Sequence, residues 1–199
     1  MDAAPAMLVE PLTPQLIYTE DFSQPKYTWF EGDANGDPNY NLKLASGGYY
    51  FTIGGRGTWI TYQMEGDFPV QCRAMLQAAL VNGSPNDVFA LLVRYQDDNN
   101  YLGLVVNGAG INDFLRCVDG ETTSLAGPAY SSELRTGSGS NQLEIICRGE
   151  RFQFLVNDHY LGEITDNSFP QGLVTFAASR LGTDILKVRF EFFRIWTIP

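Results

Sequence analysis

The run from Asn141 to Asp158 constrains the fold more than any other part of the chain. Read as two alternating strands folded about Arg148 to Arg151, it places Leu143, Ile145 and Cys147 on one face, answered by Phe152, Phe154 and Val156. A second tight turn follows at Val156-Asn157-Asp158-His159. A period of two over such a length cannot be accommodated by a helix, so the C-terminal half must build a sheet.

The same period recurs along the chain. Strands are predicted at Leu16 to Phe22, Tyr40 to Leu44, Tyr49 to Ile53, Thr58 to Gln63, Phe68 to Leu80, Val88 to Tyr95, Tyr101 to Val106 and Asn112 to Val118. After these come Gln142 to Cys147, Phe152 to Val156, Tyr160 to Thr165, Leu173 to Ser179 and Leu186 to Trp196. In the last of them Val188, Phe190 and Phe192 should point one way and Lys187, Arg189 and Glu191 the other. The segment Glu121 to Ser140, with Gly127-Pro128 and Gly137-Ser138-Gly139-Ser140, reads as a long surface loop. No stretch of useful length has a helical period.

With 44% hydrophobic and 13% aromatic residues in 199, the chain can fill one substantial core. The expectation is an Ala/Pro-rich tail or linker remnant over 1–14 and one β-sandwich domain over 15–199. A net charge of -10 with 13 Lys and Arg argues against a nucleic-acid partner. No apolar run approaches the roughly 20 residues of a membrane span, so no membrane insertion is expected. Cys72, Cys117 and Cys147 lack the spacing of a metal or redox motif and read as buried thiols, or as one disulfide and one free thiol.

The pattern Asn-x-Leu-x-Ile, Gly, Phe-x-Phe-x-Val-Asn resembles the late hairpin of bacterial laminin-G-like and 3-keto-disaccharide-hydrolase-like jelly rolls, within the concanavalin A-like lectin and glucanase group. Further landmarks are Glu20-Asp21-Phe22, Val93 to Tyr101 and Val188-Arg189-Phe190-Glu191-Phe192, so the resemblance spans most of residues 17 to 198. It implies an all-β, two-sheet antiparallel jelly-roll sandwich. It leaves function open among binding modules, surface-protein domains and hydrolases.

Parity arguments nominate a site. If Phe89, Leu91 and Val93 face the core, then Ala90, Leu92 and Arg94 face outward, and short hairpins set Arg94 opposite Leu102 and Leu102 opposite Arg116. With Val70, Cys72, Ala74 and Leu76 in the core, Gln71, Arg73, Met75 and Gln77 lie outside, which puts Arg73 beside Arg94. Arg73, Arg94 and Arg116 would then share one row of a concave sheet, a polar groove for sugar hydroxyls or a uronate, with Gln71 alongside and Trp59 and Tyr62 as stacking platforms.

The resemblance to calcium-stabilised jelly rolls implies a structural calcium ion held by Glu20, Asp21 and Glu191 on paired first and last strands. Asp33-Ala34-Asn35-Gly36-Asp37 reads as an Asx-rich turn rather than an EF-hand.

Catalytic signatures are missing. No Glu-x-Asp-x-x-Glu strand occurs, Glu163-Ile164-Thr165-Asp166 has the wrong spacing to set both carboxylates on one face, and His159, the sole histidine, sits at a hairpin tip. The expected function is a non-catalytic extracellular carbohydrate-binding or adhesion module, whose partners are cell-surface glycans and other domains of a longer surface protein. The alternatives are a glycoside-processing enzyme of 3-keto-disaccharide hydrolase type and a structural domain of a surface or filament assembly.

Overall fold

The structure, a computed structural model, describes residues 13–55, 57 and 70–199, with the backbone alone of 59–62; most of the expected 1–14 tail lies outside the described residues. Alternation becomes strand nearly everywhere. In chain order the strands are β1 (Gln15–Asp21), β2 (Gly32–Asp33), β3 (Tyr40–Ala45), β4 (Gly48–Ile53), β5 (Trp59–Tyr62), β6 (Cys72–Asn82), β7 (Val88–Asp97) and β8 (Asn100–Asn107). They continue as β9 (Ile111–Val118), β10 (Glu121–Tyr130), β11 (Asn141–Arg148), β12 (Arg151–Val156), β13 (His159–Thr165), β14 (Leu173–Ser179) and β15 (Leu186–Thr197). A 3-10 turn, Ala34–Gly36, falls inside the predicted Asx-rich segment. Among the described residues no helix is long and apolar enough to cross a membrane.

Two antiparallel sheets result. The nine-stranded sheet runs β13-β12-β11-β6-β15-β4-β3-β2, with β1 also pairing β15, and the six-stranded sheet runs β10-β9-β8-β7-β14-β5. β15 is long enough that one of its edges serves two strands: β4 pairs Leu186 to Phe190, and β1 pairs Phe192 to Thr197.

Between the sheets lies one core. Phe51, Leu76, Ile145, Phe154 and Phe190 of the first sheet meet Phe89, Leu91, Leu104, Phe114 and Phe176 of the second. Phe176 anchors the centre, its ring 4.5 Å from that of Phe190. Phe114 stacks on Phe154 at 5.0 Å. Each buried ring of this kind contributes about 1.5–3 kcal/mol by area alone.

The C-terminal hairpin has the expected register: Leu143, Ile145 and Cys147 oppose Val156, Phe154 and Phe152. Its following turn carries Asn157 and Asp158 at positive φ (49° and 67°), the geometry a two-residue turn joining twisted strands requires.

Four expectations are corrected. Glu121–Tyr130, expected to be loop, is edge strand β10; its burial pattern has no alternation to read, because residues along this edge are mostly exposed. β6, expected to continue into the sheet of β7, β8 and β9, belongs to the other sheet. The chain crosses between sheets through Gly83 to Asp87, where the buried Asp87 carboxylate accepts hydrogen bonds from the backbone N–H groups of Ser84, Leu181 and Gly182 at 2.7–2.8 Å. In β15 the register slips between Phe190 and Phe192, so Phe192 turns outward and Phe193 and Ile195 enter the core. In β7 it slips after Val93, which itself pairs with Leu102 in place of Arg94.

Candidate functional site

The two sheets differ sharply on their outer faces. On the six-stranded sheet the outward residues Val88, Ala90, Leu92, Tyr95, Tyr101, Val105, Leu115, Cys117 and Ala177 form a second buried apolar cluster. The hydroxyls of Thr175 and Ser179 on β14 are buried there without a hydrogen-bond partner among the described residues. Leu92 lies flat across Gly103, where an added Cβ would fall 2.5 Å from its methyl. Tyr95 donates to Asp98 at 2.6 Å, and burial pushes the Tyr101 hydroxyl well above its usual value. The polar groove expected on this sheet is therefore absent from its described residues.

The nine-stranded sheet carries the polar side chains. Because successive side chains alternate across a strand and opposed residues share a face, its register stacks them into rows. One row sets Lys187 opposite Thr52, and Thr52 opposite Asn41; the next sets Arg189 opposite Tyr50, and Tyr50 opposite Lys43. Further along, Trp196 opposes Arg73, Arg73 opposes Ile146, Ile146 opposes Gln153, and Gln153 opposes Glu163.

Cations on this face lie over rings. Lys187 Nζ is 4.8 Å from the Tyr50 ring, the Arg194 guanidinium 4.3 Å from Phe192, and that of Arg73 5.1 Å from Trp196. Each contact is worth about 0.5–1 kcal/mol where exposed.

Carboxylates on this face are already engaged. Glu144, nearly fully buried, receives Arg73 in a two-point pair at 2.7 and 2.9 Å, which together hold the guanidinium above its usual pKa. Glu191 accepts from Arg189 at 2.6 Å on one oxygen and from Gln77 and Ser140 on the other. Arg151 pairs with Glu163, whose carboxyl is held below its ordinary value by that contact and by Gln153. The lysines are different: neither Lys43 nor Lys187 has a carboxylate partner among the described residues.

These two lysines line a shallow cleft of about 230 Å³ with Asn41, Ser46, Tyr50 and Thr52. The Tyr50 hydroxyl donates to the Ser46 carbonyl at 3.2 Å, which fixes one wall. Among the described residues no carboxylate lines this cleft. Ammonium, amide and hydroxyl groups beside an aromatic ring can hydrogen-bond vicinal hydroxyls or a carboxylate of a bound molecule.

The sequence-predicted residues do not assemble as expected. Arg73 lies on the outer face of the nine-stranded sheet. Arg116 stands opposite the core residue Leu102 and turns toward the other sheet, donating to Asp166 at 3.0 Å and Ser168 at 3.1 Å. Arg94 is 3% exposed, at positive φ (54°), and donates to the carbonyls of Val70 and Gly149. The shared arginine row therefore does not exist: β6 changed sheets, and the irregularity at Arg94 turned that side chain into the end of the sandwich. Gln71 is exposed just ahead of β6, its carbonyl accepting from the Ile198 N–H. Trp59 and Tyr62 are placed on edge strand β5 opposite Ser179 and Phe176, and their side chains lie outside the described residues.

Nor do Glu20, Asp21 and Glu191 converge. β1 and β15 do pair, but neighbouring residues on a strand face opposite ways. Glu20 is fully buried, accepting from the Lys26 and Tyr27 N–H groups and from Trp29 Nε1 at 2.7 Å, whereas Asp21 is exposed and accepts from Ser23. Glu191 is held by Arg189, Gln77 and Ser140. Among the described residues no group of three or more His, Cys, Asp or Glu is gathered as a set of metal ligands. His159 sits at the hairpin tip, with Nδ1 2.9 Å from the Asn157 carbonyl and 3.2 Å from Glu133.

Sequence reasoning missed the cleft. Its signal was the shared polar phase of Asn41 and Lys43, Tyr50 and Thr52, and Lys187 and Arg189, but no local pattern says that β15, β4 and β3 are neighbours.

No protein-family model matches the chain, and no curated protein matches it. Solved structures do. The carbohydrate-binding module CBM66 from Bacillus subtilis is 12% identical, with 87% of this chain and 91% of that one covered and a TM-score of 0.54. A structure described as a native glycosidic hydrolase is 11% identical over 94% and 97% at a TM-score of 0.65. The GH43 BlXynB protein from Bacillus licheniformis is 11% identical at a TM-score of 0.62; 90% of this chain is covered, but only 39% of that one. The fold is a concanavalin A-like jelly-roll sandwich. At these identities the likeness is one of fold, and the site must be argued from this chain's own residues.

Proposed function

We propose that this chain is a non-catalytic carbohydrate-binding or adhesion module, displayed outside the cell, that meets glycans on the outer face of its nine-stranded sheet. The observation that carries this reading is the carboxylate-free cleft of Asn41, Lys43, Ser46, Tyr50, Thr52 and Lys187. It lies on the face whose exposed rows mix aromatic rings with hydrogen-bond donors, whereas the opposite outer face is apolar and buried. The fold-level likeness to a carbohydrate-binding module agrees with it. A sugar entering the cleft would displace Lys187 from the Tyr50 ring, a contact of only about 0.5–1 kcal/mol, and leave two ammonium groups free to hydrogen-bond.

A glycan array on the purified chain, run with and without a chelator, tests the reading and the calcium expectation together. Lys187→Ala and Tyr50→Ala should each weaken binding to the array's hits by about 1–3 kcal/mol, the range for a charge-assisted hydrogen bond or a lost aromatic platform. His159→Ala should leave it unchanged. An array without hits, or hits insensitive to both cleft variants, refutes the assignment. Sugar-bond cleavage by the pure protein would favour the glycoside-processing alternative.

A further inference from the structure

The register of β6 with β11 sets Cys72 directly opposite Cys147. Both side chains face the core and are fully buried there, so the two thiols share one side of the ladder. Opposed residues in an antiparallel ladder stand about 4.5–5.5 Å apart at Cα, inside the roughly 4.4–6.8 Å that a disulfide spans.

Arg94 supplies the second observation. It reaches from the six-stranded sheet to the end of this strand pair, donating to Val70 O, two residues before Cys72, at 2.7 Å and to Gly149 O, two residues after Cys147, at 3.1 Å. Its guanidinium lies 5.6 Å from the ring of Phe152, the residue paired with Cys147 on β12. Buried as it is, it has neither a carboxylate partner nor a hydrogen-bond partner for its Nε among the described residues. An isolated buried cation is costly. Its charge favours the deprotonated form of both thiols.

We propose that Cys72 and Cys147 form an oxidisable dithiol, which a peroxide converts to a disulfide stapling β6 to β11, with Cys72 as the attacking sulfur and Cys147 as the resolving one. The hydrogen bond from Cys147 holds the Cys72 thiol below its ordinary pKa, against the effect of burial, and Arg94 adds to the lowering; the same contact pushes Cys147 up. Cys72 opens β6, and Cys147 is next to last in β11, so the pair sits at the end of the ladder that Arg94 closes.

The Cys72 thiolate attacks hydrogen peroxide, forming an S–O bond and breaking the O–O bond; the departing hydroxide takes a proton and leaves as water. Cys147 then attacks the sulfenic sulfur, the S–O bond breaks as the S–S bond forms, and a second water carries away oxygen and the Cys147 proton. Two thiols lose two electrons and one peroxide is reduced.

Cys117 is an internal control, being placed in the outer cluster of the other sheet. Hydrogen peroxide is added to the reduced, folded full chain, followed by alkylation, peptide mapping and thermal unfolding. The expected result is one crosslink joining Cys72 to Cys147, an alkylatable Cys117, and a thermal midpoint raised by roughly 5–15 °C and restored by reductant. In Cys147→Ser, Cys72 should stop at the sulfenic acid and be trapped by dimedone. Arg94→Gln should slow Cys72 oxidation, because the thiolate loses a cation whose charge favours it, and Arg94→Lys should restore much of the rate. A crosslink through Cys117 overturns the proposal. So do three intact thiols in the folded protein at a peroxide dose that oxidises the urea-unfolded chain, since neither readout needs any change at Arg94.

Discussion

Single side chains on this sandwich are governed by which face of which sheet receives them. Asp113 shows the effect. It stands opposite Val105 of the outer apolar cluster, and burial raises its carboxyl above the usual value even though Ser124 donates to it at 2.8 Å. A raised carboxylate pKa means that the folded state binds the proton more tightly than the unfolded chain. Below the unfolded value of 3.8 both states are protonated, and as pH climbs through the folded value the native state loses stability relative to the unfolded. Asp113→Asn should therefore raise the thermal midpoint modestly at neutral pH, and the gap should close as the solution is acidified toward pH 3.8. A midpoint unchanged or lowered at neutral pH would contradict this. The arginines teach the complementary lesson: Arg73, Arg94 and Arg116 look alike as residues in strands, yet one is paired on an open face, one is buried with no carboxylate partner among the described residues, and one bridges to a loop.

At the level of elements, the C-terminal hairpin is where sequence and structure agree most closely. Asn157 does more than permit the positive φ of its turn. Its Oδ1 accepts from the Gln142 N–H at 2.9 Å, and its Nδ2 donates to the Glu133 carbonyl at 2.7 Å and to Asn141 Oδ1 at 2.9 Å, tying the turn to the segment that precedes β11. Asn157→Ala loses these bonds and adds a left-handed strain, so urea titration should show a loss of about 2–4 kcal/mol. Asn157→Gly relieves the strain alone and should recover only a part. Equal stability of the alanine variant and the wild type would show that the network is dispensable. β10 and β15 mark where element reading fails: an edge strand exposed along most of its length has no period, and a bulge reverses the period of the strand it interrupts.

For the whole molecule, the decisive event is the arch from β6 to β7, which makes two sheets out of what reads as one meander and closes them over Phe176. That ring lies within about 6 Å of Trp29, Phe22, Phe51, Phe190 and Phe193, so Phe176→Ala should cost about 3–5 kcal/mol in chemical denaturation. A loss below about 1 kcal/mol would mean that the core is not organised around it. From sequence alone came the all-β class, most of the strands and the register of the late hairpin, because alternation and turn chemistry act between residues close along the chain. Only the tertiary structure decided which strands share a sheet, and with that the fate of the three arginines, the three carboxylates and the cleft of Lys43 and Lys187. The physical reason is that β7, β8 and β14 bury apolar side chains on both faces, so parity cannot tell inside from outside. The pairing of β15 with β6, β4 and β1 joins residues far apart in the chain through a core that no local pattern describes.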